Sequence, residues 1–333
     1  MTRPVVSVQQ ERPWLDIVSY GRRGPGRRDH IPAVHYEAIA RTVRRAPEVV
    51  VKVTGGGRNV NAVKQSIDYF DREGELEVET DDGRTLAGEG IGRELVKDWE
   101  LELETQRSRR MYSGVPGRRS PKLVHNVTFS MPAGTPPKKV LAAVRKFAQD
   151  KFAGSHRYAM VLHTDQQHPH VHTIVKAVSE QGVRLNIRKA TLREWRHEFA
   201  KYLREQGIEA NATDRAVRGV TTPRKPDGIY RAMLRRDSTH VRARTEAVAR
   251  ELVKSDIVVE PGKSKLLQTR KEVERAWQEL SEILVANGRR DLANDVARFV
   301  QGMPPPRTEK EWLAAELLER VRESRPRDKS LAP

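Results

Sequence analysis

The chain contains no cysteine. Disulfides, thiolate zinc sites, iron–sulfur clusters and cysteine nucleophiles are therefore excluded, and any metal site must use histidine, carboxylate or carbonyl ligands. Nor is there an apolar run of the ~18 residues that a membrane-spanning helix needs. The opening stretch MTRPVVSVQQERPW lacks the apolar core of a signal peptide, so the expected location is the cytoplasm, without membrane insertion. Aromatics are sparse at 5%, and acids are outnumbered: 45 Asp and Glu face 62 Lys and Arg, for a net charge of +17. A surplus of this size implies a polyanionic partner, either nucleic acid or an anionic membrane surface. With 333 residues, 37% hydrophobic and 32% charged, the chain is globular and long enough for about two domains.

Composition and periodicity divide the chain into four parts. Residues 1–33 carry GRRGPGRRDH and read as a flexible basic arm, and residues 34–214 read as a structured α/β domain. Residues 215–255, Pro/Gly-interrupted and rich in Arg, read as a basic linker or DNA-tracking segment, and 256–333 as a small helical domain. Within the second part a helix is expected over Val34–Arg45 and a β-branched strand over Glu48–Val53. After the GGGRN loop, Val60, Val63, Ile67 and Phe70 fall at helical spacing. A hairpin around Asp82-Gly83 and one helix over Gly92–Thr105 follow. Strand Leu123–Met131 alternates, with its even, polar positions facing outward. A helix begins at the prolines 136–137, and strands Arg157–His163 and His170–Val178 flank TDQQHP. RLNI at 184–187 is a possible last strand, and Thr191–Gln206 an amphipathic helix. The final part shows helices over about 264–287, 290–301 and 309–324.

Four of the ten histidines fall between positions 163 and 172. Residues i and i+2 of a strand share a face, so His170 and His172 point the same way, roughly 7 Å apart. If the two strands form an antiparallel hairpin, His163 lies opposite His170 and three imidazoles converge at the mouth of the turn. Neutral imidazole ligates divalent ions, and three protein ligands leave positions open for substrate. Asp165 and His168 lie in the turn as a fourth ligand or as partners that fix an imidazole tautomer.

A metal beside a basic surface suggests phosphodiester chemistry, and without cysteine the attacking group is a metal-bound water, a serine or a tyrosine. Tyr69 lies about 140° from the apolar stripe of its helix at ~100° per residue. It faces away from the core, between the GGGRN loop with Arg58 and the helix end with Arg72. The blander alternative is a tyrosine packed over a neighbouring loop.

Together these residues resemble the conjugative relaxases, or mobilization nucleases, of the MobA/VirD type in the His-hydrophobic-His endonuclease superfamily. SIDYFDREGELE at 66–77 is similar to the family's first motif, which carries a nucleophilic tyrosine onto Tyr69. VTFSMPAGTPPKKVLAAVRKFA at 127–148 is similar to the second, which carries a DNA-contacting serine onto Ser130. HTDQQHPHVHTIVKA at 163–177 is similar to the third, which carries metal ligands onto His163, His170 and His172. One departure is Lys176, where the family commonly has asparagine. The resemblance implies a palm-like α/β (α+β) fold, a largely antiparallel sheet with helices on one face and the other free for single-stranded DNA.

It further implies a divalent ion (Mg, Mn or similar) and nicking of one strand at a plasmid or integrative-element transfer origin. Tyr69 would keep a 5′-phosphotyrosyl link, with Asp165 or His168 taking its proton. Arg58, Arg72, Arg231, Arg235 and Arg236 are the candidate DNA contacts, and accessory relaxosome proteins and a secretion coupling protein the expected partners. Two rival readings are a hydrolase using metal-bound water and a non-catalytic DNA-binding replication protein.

Overall fold

A computed structural model of the chain describes residue 17 and residues 31–112, 120–221, 239–254 and 260–324. In chain order these form α1 (Ala33–Val43), β1 (Val50–Gly55), α2 (Val60–Phe70), β2 (Val78–Thr80) and β3 (Thr85–Leu86). Next come α3 (Ile91–Asp98), α4 (Leu101–Tyr112), β4 (Val124–Ser130), α5 (Pro137–Phe152), β5 (Tyr158–His163), β6 (His170–Lys176) and α6 (Lys189–Glu205). The remaining helices are α7 (Thr239–Val253), α8 (Gly262–Ala286), α9 (Arg290–Gln301) and α10 (Glu309–Ser324). The chain divides into two compact units, one of residues 45–212 and one that combines residues 1–44 with 213–333.

The unit of residues 45–212 is built on a six-stranded sheet of order β1-β4-β6-β5-β2-β3, with every pairing antiparallel. Alternation sorts the side chains: Val127, Phe129, Val171, Val175 and Met160 enter one core, under α5 and α6, with Phe147, Phe152, Trp195 and Phe199. Helices are not confined to that face. Val63, Ile67 and Phe70 of α2 and Leu95 of α3 close a second core on Val124, Ala159, Val161 and Ile174. The even residues of β4 therefore do not all face outward: Asn126 is buried and its Nδ2 donates to Ser66 Oγ on α2 at 3.1 Å. α2 starts where Asn59 caps it, the side-chain oxygen accepting from Ala62 N at 2.8 Å.

Two expectations for this unit change. The single helix over 92–105 is two helices, because Trp99 and Leu101 both enter the second core. Two residues apart on one helix they would point ~200° from each other. Glu100 in the left-handed region (φ 52°) breaks the helix and lets both turn inward. RLNI makes only one bridge, Val178↔Arg184, before the chain turns into α6, so it is not a strand.

The second unit is helical. Ile39 and Val43 of α1 pack with Trp277, Leu280 and Ile283 of α8 and with Val296 and Phe299 of α9. The first helix, expected to open the α/β domain, therefore belongs with the C-terminal helices, since its apolar stripe finds its partners there. The segment 215–255, read as a linker, contains α7, whose Glu251 pairs with Lys310 of α10. Arg231, Arg235, Arg236 and most of the basic arm lie outside the described residues.

Candidate metal centre and active site

The β5–β6 hairpin sets the geometry. His163 is the register partner of His170, and His172 stands two residues further along the same face. The ring centroids are 5.0 Å apart for His163–His170, 4.6 Å for His163–His172 and 5.0 Å for His170–His172. One nitrogen from each ring lies within 4.8 Å of the other two. His163 is 1% and His170 8% exposed, so both rings are withdrawn from water.

Each imidazole has at least one nitrogen held by the protein. His170 Nδ1 lies 2.9 Å from the His168 carbonyl, which can only accept, so Nδ1 donates and Nε2 is the nitrogen left for a ligand. His163 Nε2 donates to the Phe70 carbonyl at 2.6 Å, leaving Nδ1, which lies 3.5 Å from Arg72 Nη2. His172 Nδ1 shares a hydrogen bond of 3.2 Å with the Thr128 hydroxyl. Burial, reinforced by the neighbouring imidazoles and Arg72, pushes His172 down to about 3. Burial likewise lowers His163. Three gathered imidazoles, each held by a hydrogen bond to the protein, suit a divalent transition-type ion.

The helix that carries Tyr69 ends at this centre. Phe70, one residue on, stacks on His172 with centroids 4.2 Å apart and planes 13° apart. Tyr69 itself is 51% exposed. The chain then turns through three consecutive left-handed residues, Arg72 (φ 57°), Glu73 (φ 57°) and Gly74 (φ 94°). A Cβ on Gly74 would stand 2.4 Å from the Gly88 carbonyl carbon, so glycine is required there. This turn brings the Arg72 guanidinium within 5.4 Å of the Tyr69 ring centroid and into an ion pair with Asp165. Burial raises the Asp165 carboxyl, but the hydrogen bond and charge of Arg72, with His163, together outweigh it and hold it below the usual carboxylate range.

The cluster of candidate ligands is thus the three histidines. Asp165 stays at the rim, 3.9 Å from His163 Nδ1 and paired with Arg72. The His168 side chain is exposed, and that residue reaches the centre through its backbone. Ser130 lies beside it, in register with His170. Arg58 precedes α2, at the opposite end of that helix from Tyr69. Lys176 turns away to Glu180 at 3.1 Å. Phe70 and Thr128 were not among the expected site residues. Phe70 read as core stripe and Thr128 as an outward polar position; only the pairing of β4 with β6 puts Thr128 opposite His172.

Residues 72–208 match the relaxase family described as MobA/VirD2-like, nuclease domain. Over those residues the chain is similar to the nuclease domain of MobA/VirD2-like relaxases. Among curated proteins it is similar to the T-DNA border endonuclease VirD2 of Agrobacterium fabrum (strain C58), 27% identical over 212 residues, covering 60% of this chain and 46% of the relative. The VirD2 of Rhizobium rhizogenes is 28% identical over 190 residues, covering 53% of this chain and 42% of that protein. The similarity therefore spans less than half the length of these relatives. The relaxase family match begins at Arg72, three residues after Tyr69, and takes in all three histidines.

Proposed function

We propose that this relaxase-type chain nicks one strand of DNA at a transfer origin, with Tyr69 as nucleophile and His163, His170 and His172 as ligands of a divalent ion such as Mg or Mn. The observation that carries this reading is the convergence of three imidazole nitrogens beside a helix end that presents an exposed tyrosine. When bound, the ion would polarise the scissile phosphate and offset its developing charge. The Tyr69 oxygen forms a bond to phosphorus as the bond to the 3′ oxygen breaks, leaving a 5′-phosphotyrosyl link and a free 3′-hydroxyl. The phenol proton passes to a base and a proton is delivered to the 3′ oxygen, so the step balances without water and is reversible. Arg72 lies against the Tyr69 ring and is oriented by Asp165, placing a cation where phosphate charge accumulates. With its carboxylate engaged by Arg72, Asp165 is assigned to orientation, and the exposed His168 to accepting the proton. Ser130 contacts the DNA beside the nick. Single-stranded DNA is the substrate in this reading, and accessory relaxosome proteins and a secretion coupling protein are the partners.

The test is a single-stranded origin oligonucleotide labelled 3′ of the nick. The labelled fragment should migrate with the protein on a denaturing gel, and Tyr69→Phe should remove that adduct and the cleavage together. Cleavage that persists in Tyr69→Phe would show that water is the nucleophile and overturn the assignment. An adduct mapped to Tyr36 or Tyr112 would move it elsewhere.

A further inference from the structure

At the end of the sheet remote from the histidines, β1 runs out at Gly55 and β4 begins at Val124. Three cations meet there. Lys122 Nζ donates to the Gly55 carbonyl at 2.7 Å, and Arg184 Nη1 donates to the Lys122 carbonyl at 2.9 Å. The Arg58 guanidinium donates to the Ser120 carbonyl. Each is anchored by a backbone oxygen, and among the described residues none of the three is ion-paired to a carboxylate. Several other cations of the unit are neutralised: Arg145 by Glu79, Arg157 by Asp81 and Asp98, Lys151 by Glu194. The uncompensated charges act on one another. Burial and then Arg58 push the Lys122 ammonium down, while burial followed by Lys122, Arg184 and His156 pushes His125 down to about 4.

A polar strip links this cluster to the metal centre. Lys52 and Thr54 of β1 are exposed on the histidine-bearing face. Thr54 Oγ1 lies 3.4 Å from Thr128 Oγ1, which lies 3.2 Å from His172 Nδ1. From Ser130 back to Val124, β4 spans seven residues. At ~3.4 Å per residue that is about 20 Å, the length of about six stacked nucleotides of one strand at ~3.4 Å each.

We infer that Arg58, Lys122 and Arg184 form a phosphate clamp that grips the backbone of a single DNA strand about six stacked nucleotides from the reacting phosphate. The Thr54–Thr128 strip is the track between the two points. The inference rests on the strand-nicking reading above and adds a second, sequence-independent point of attachment, because phosphate contacts carry no base information. Its drive is electrostatic: clustered like charges oppose folding, and neutralising them with phosphate releases counterions.

The experiment compares the wild-type chain with Lys122→Gln/Arg184→Gln, using fluorescein-labelled oligothymidylates of about 4 and about 16 nucleotides, sizes that fall short of and exceed the ~20 Å span. Anisotropy gives affinity from about 50 to 200 mM salt, the range in which phosphate contacts show. The wild type should prefer the longer strand. The double variant should lose about tenfold on that strand, with its salt slope shallower by about 1.4, from two contacts at ~0.7 each. Its DNA-free melting temperature should not fall, since removing mutual repulsion offsets the lost hydrogen bond. A folded variant with the wild-type slope on the longer strand overturns the clamp. So does a loss equal on both lengths, or a wild type that prefers duplex. Should the double variant fail to fold, Lys122→Gln alone retains a donor for Gly55 O and should show half the slope change. The two readings fail separately. A wild type with the length and salt dependence but no Tyr69 adduct keeps the clamp and loses the nicking; a Tyr69 adduct without that dependence does the reverse.

Discussion

At one end of the β4–β6 pair three imidazoles gather, burial favours the neutral form of His163 and His172, and each ring has a nitrogen held by a carbonyl or hydroxyl. At the other end, Lys122 is half-buried and Arg58 and Arg184 stay exposed, tied to the protein only through backbone oxygens. The sheet thus presents candidate metal ligands at one end and positive charge at the other. The difference teaches that depth of burial decides which resource a basic side chain offers: a desolvated imidazole gives up its proton and becomes a ligand, while a solvated guanidinium keeps its charge and becomes an anion site.

The largest effect should come from breaking the neutral end. His170→Ala or His172→Ala should each lower divalent-ion affinity more than about 100-fold, beyond what loss of a supporting hydrogen bond costs, and abolish cleavage at modest metal concentration. Isothermal titration with Mn²⁺ and a plasmid nicking assay read both, and full nicking by either variant would remove the metal assignment. Thr128→Val should act more mildly. It takes away the hydroxyl that His172 Nδ1 meets, and ion affinity should drop about 10–100-fold with the fold retained. An unchanged affinity would mean the hydroxyl does not orient the ring.

His125 lies between the two regimes, buried enough to be neutral and surrounded by cations. Its folded value of about 4 lies below the unfolded 6.5, so the unfolded chain binds more protons between these values. Stability is therefore complete above pH 6.5 and is lost as pH falls toward 4, by about 1–3 kcal/mol. Denaturant titrations should show this slope flattened in His125→Gln; a slope that is the same in both proteins would refute it. The smallest change is expected for Arg231→Gln/Arg235→Gln/Arg236→Gln. If these are phosphate contacts, the salt slope on single strands should flatten by about 2 units at ~0.7 per contact, leaving the nicked position unaltered. An unchanged slope would make that segment a solvated linker.

Much of the neutral end was legible in the sequence. His-x₆-His-x-His across a short polar connection constrains strand pairing tightly, because a slip of one residue would put His163 on the opposite face. The periodicity of α2 exposed Tyr69 for the same reason. The charged end was not legible, because Arg58, Lys122 and Arg184 are 62 or more positions apart and meet only through the register of the sheet. Periodicity also shows that a helix has an apolar stripe without naming what the stripe packs on. Hence the partners of α1, and the contact of Phe70 with His172, lay beyond it. The break at Trp99 escaped because both flanking segments are good helices, and only the common core of Trp99 and Leu101 forces the interruption.

The way the chain enters and leaves the sheet unit has a consequence for its biogenesis. Val49 N donates to Asn211 O at 2.9 Å and Asn211 N to Pro47 O at 2.8 Å, so the first and last residues of the unit are zipped side by side. In the helical unit, Thr42 and Thr213 share a hydrogen bond of 3.2 Å across the same interruption. The sheet unit is thus an insertion into the helical one. A ribosome that has synthesised residue 212 has delivered every residue of the sheet unit, while α1 still waits for Trp277 and Phe299. At about 5–20 residues per second that delay lasts roughly 5–20 s, during which Ile39 and Val43 have no permanent cover. The sheet unit can therefore mature first, and the helical unit, though it holds the earlier residues, closes last.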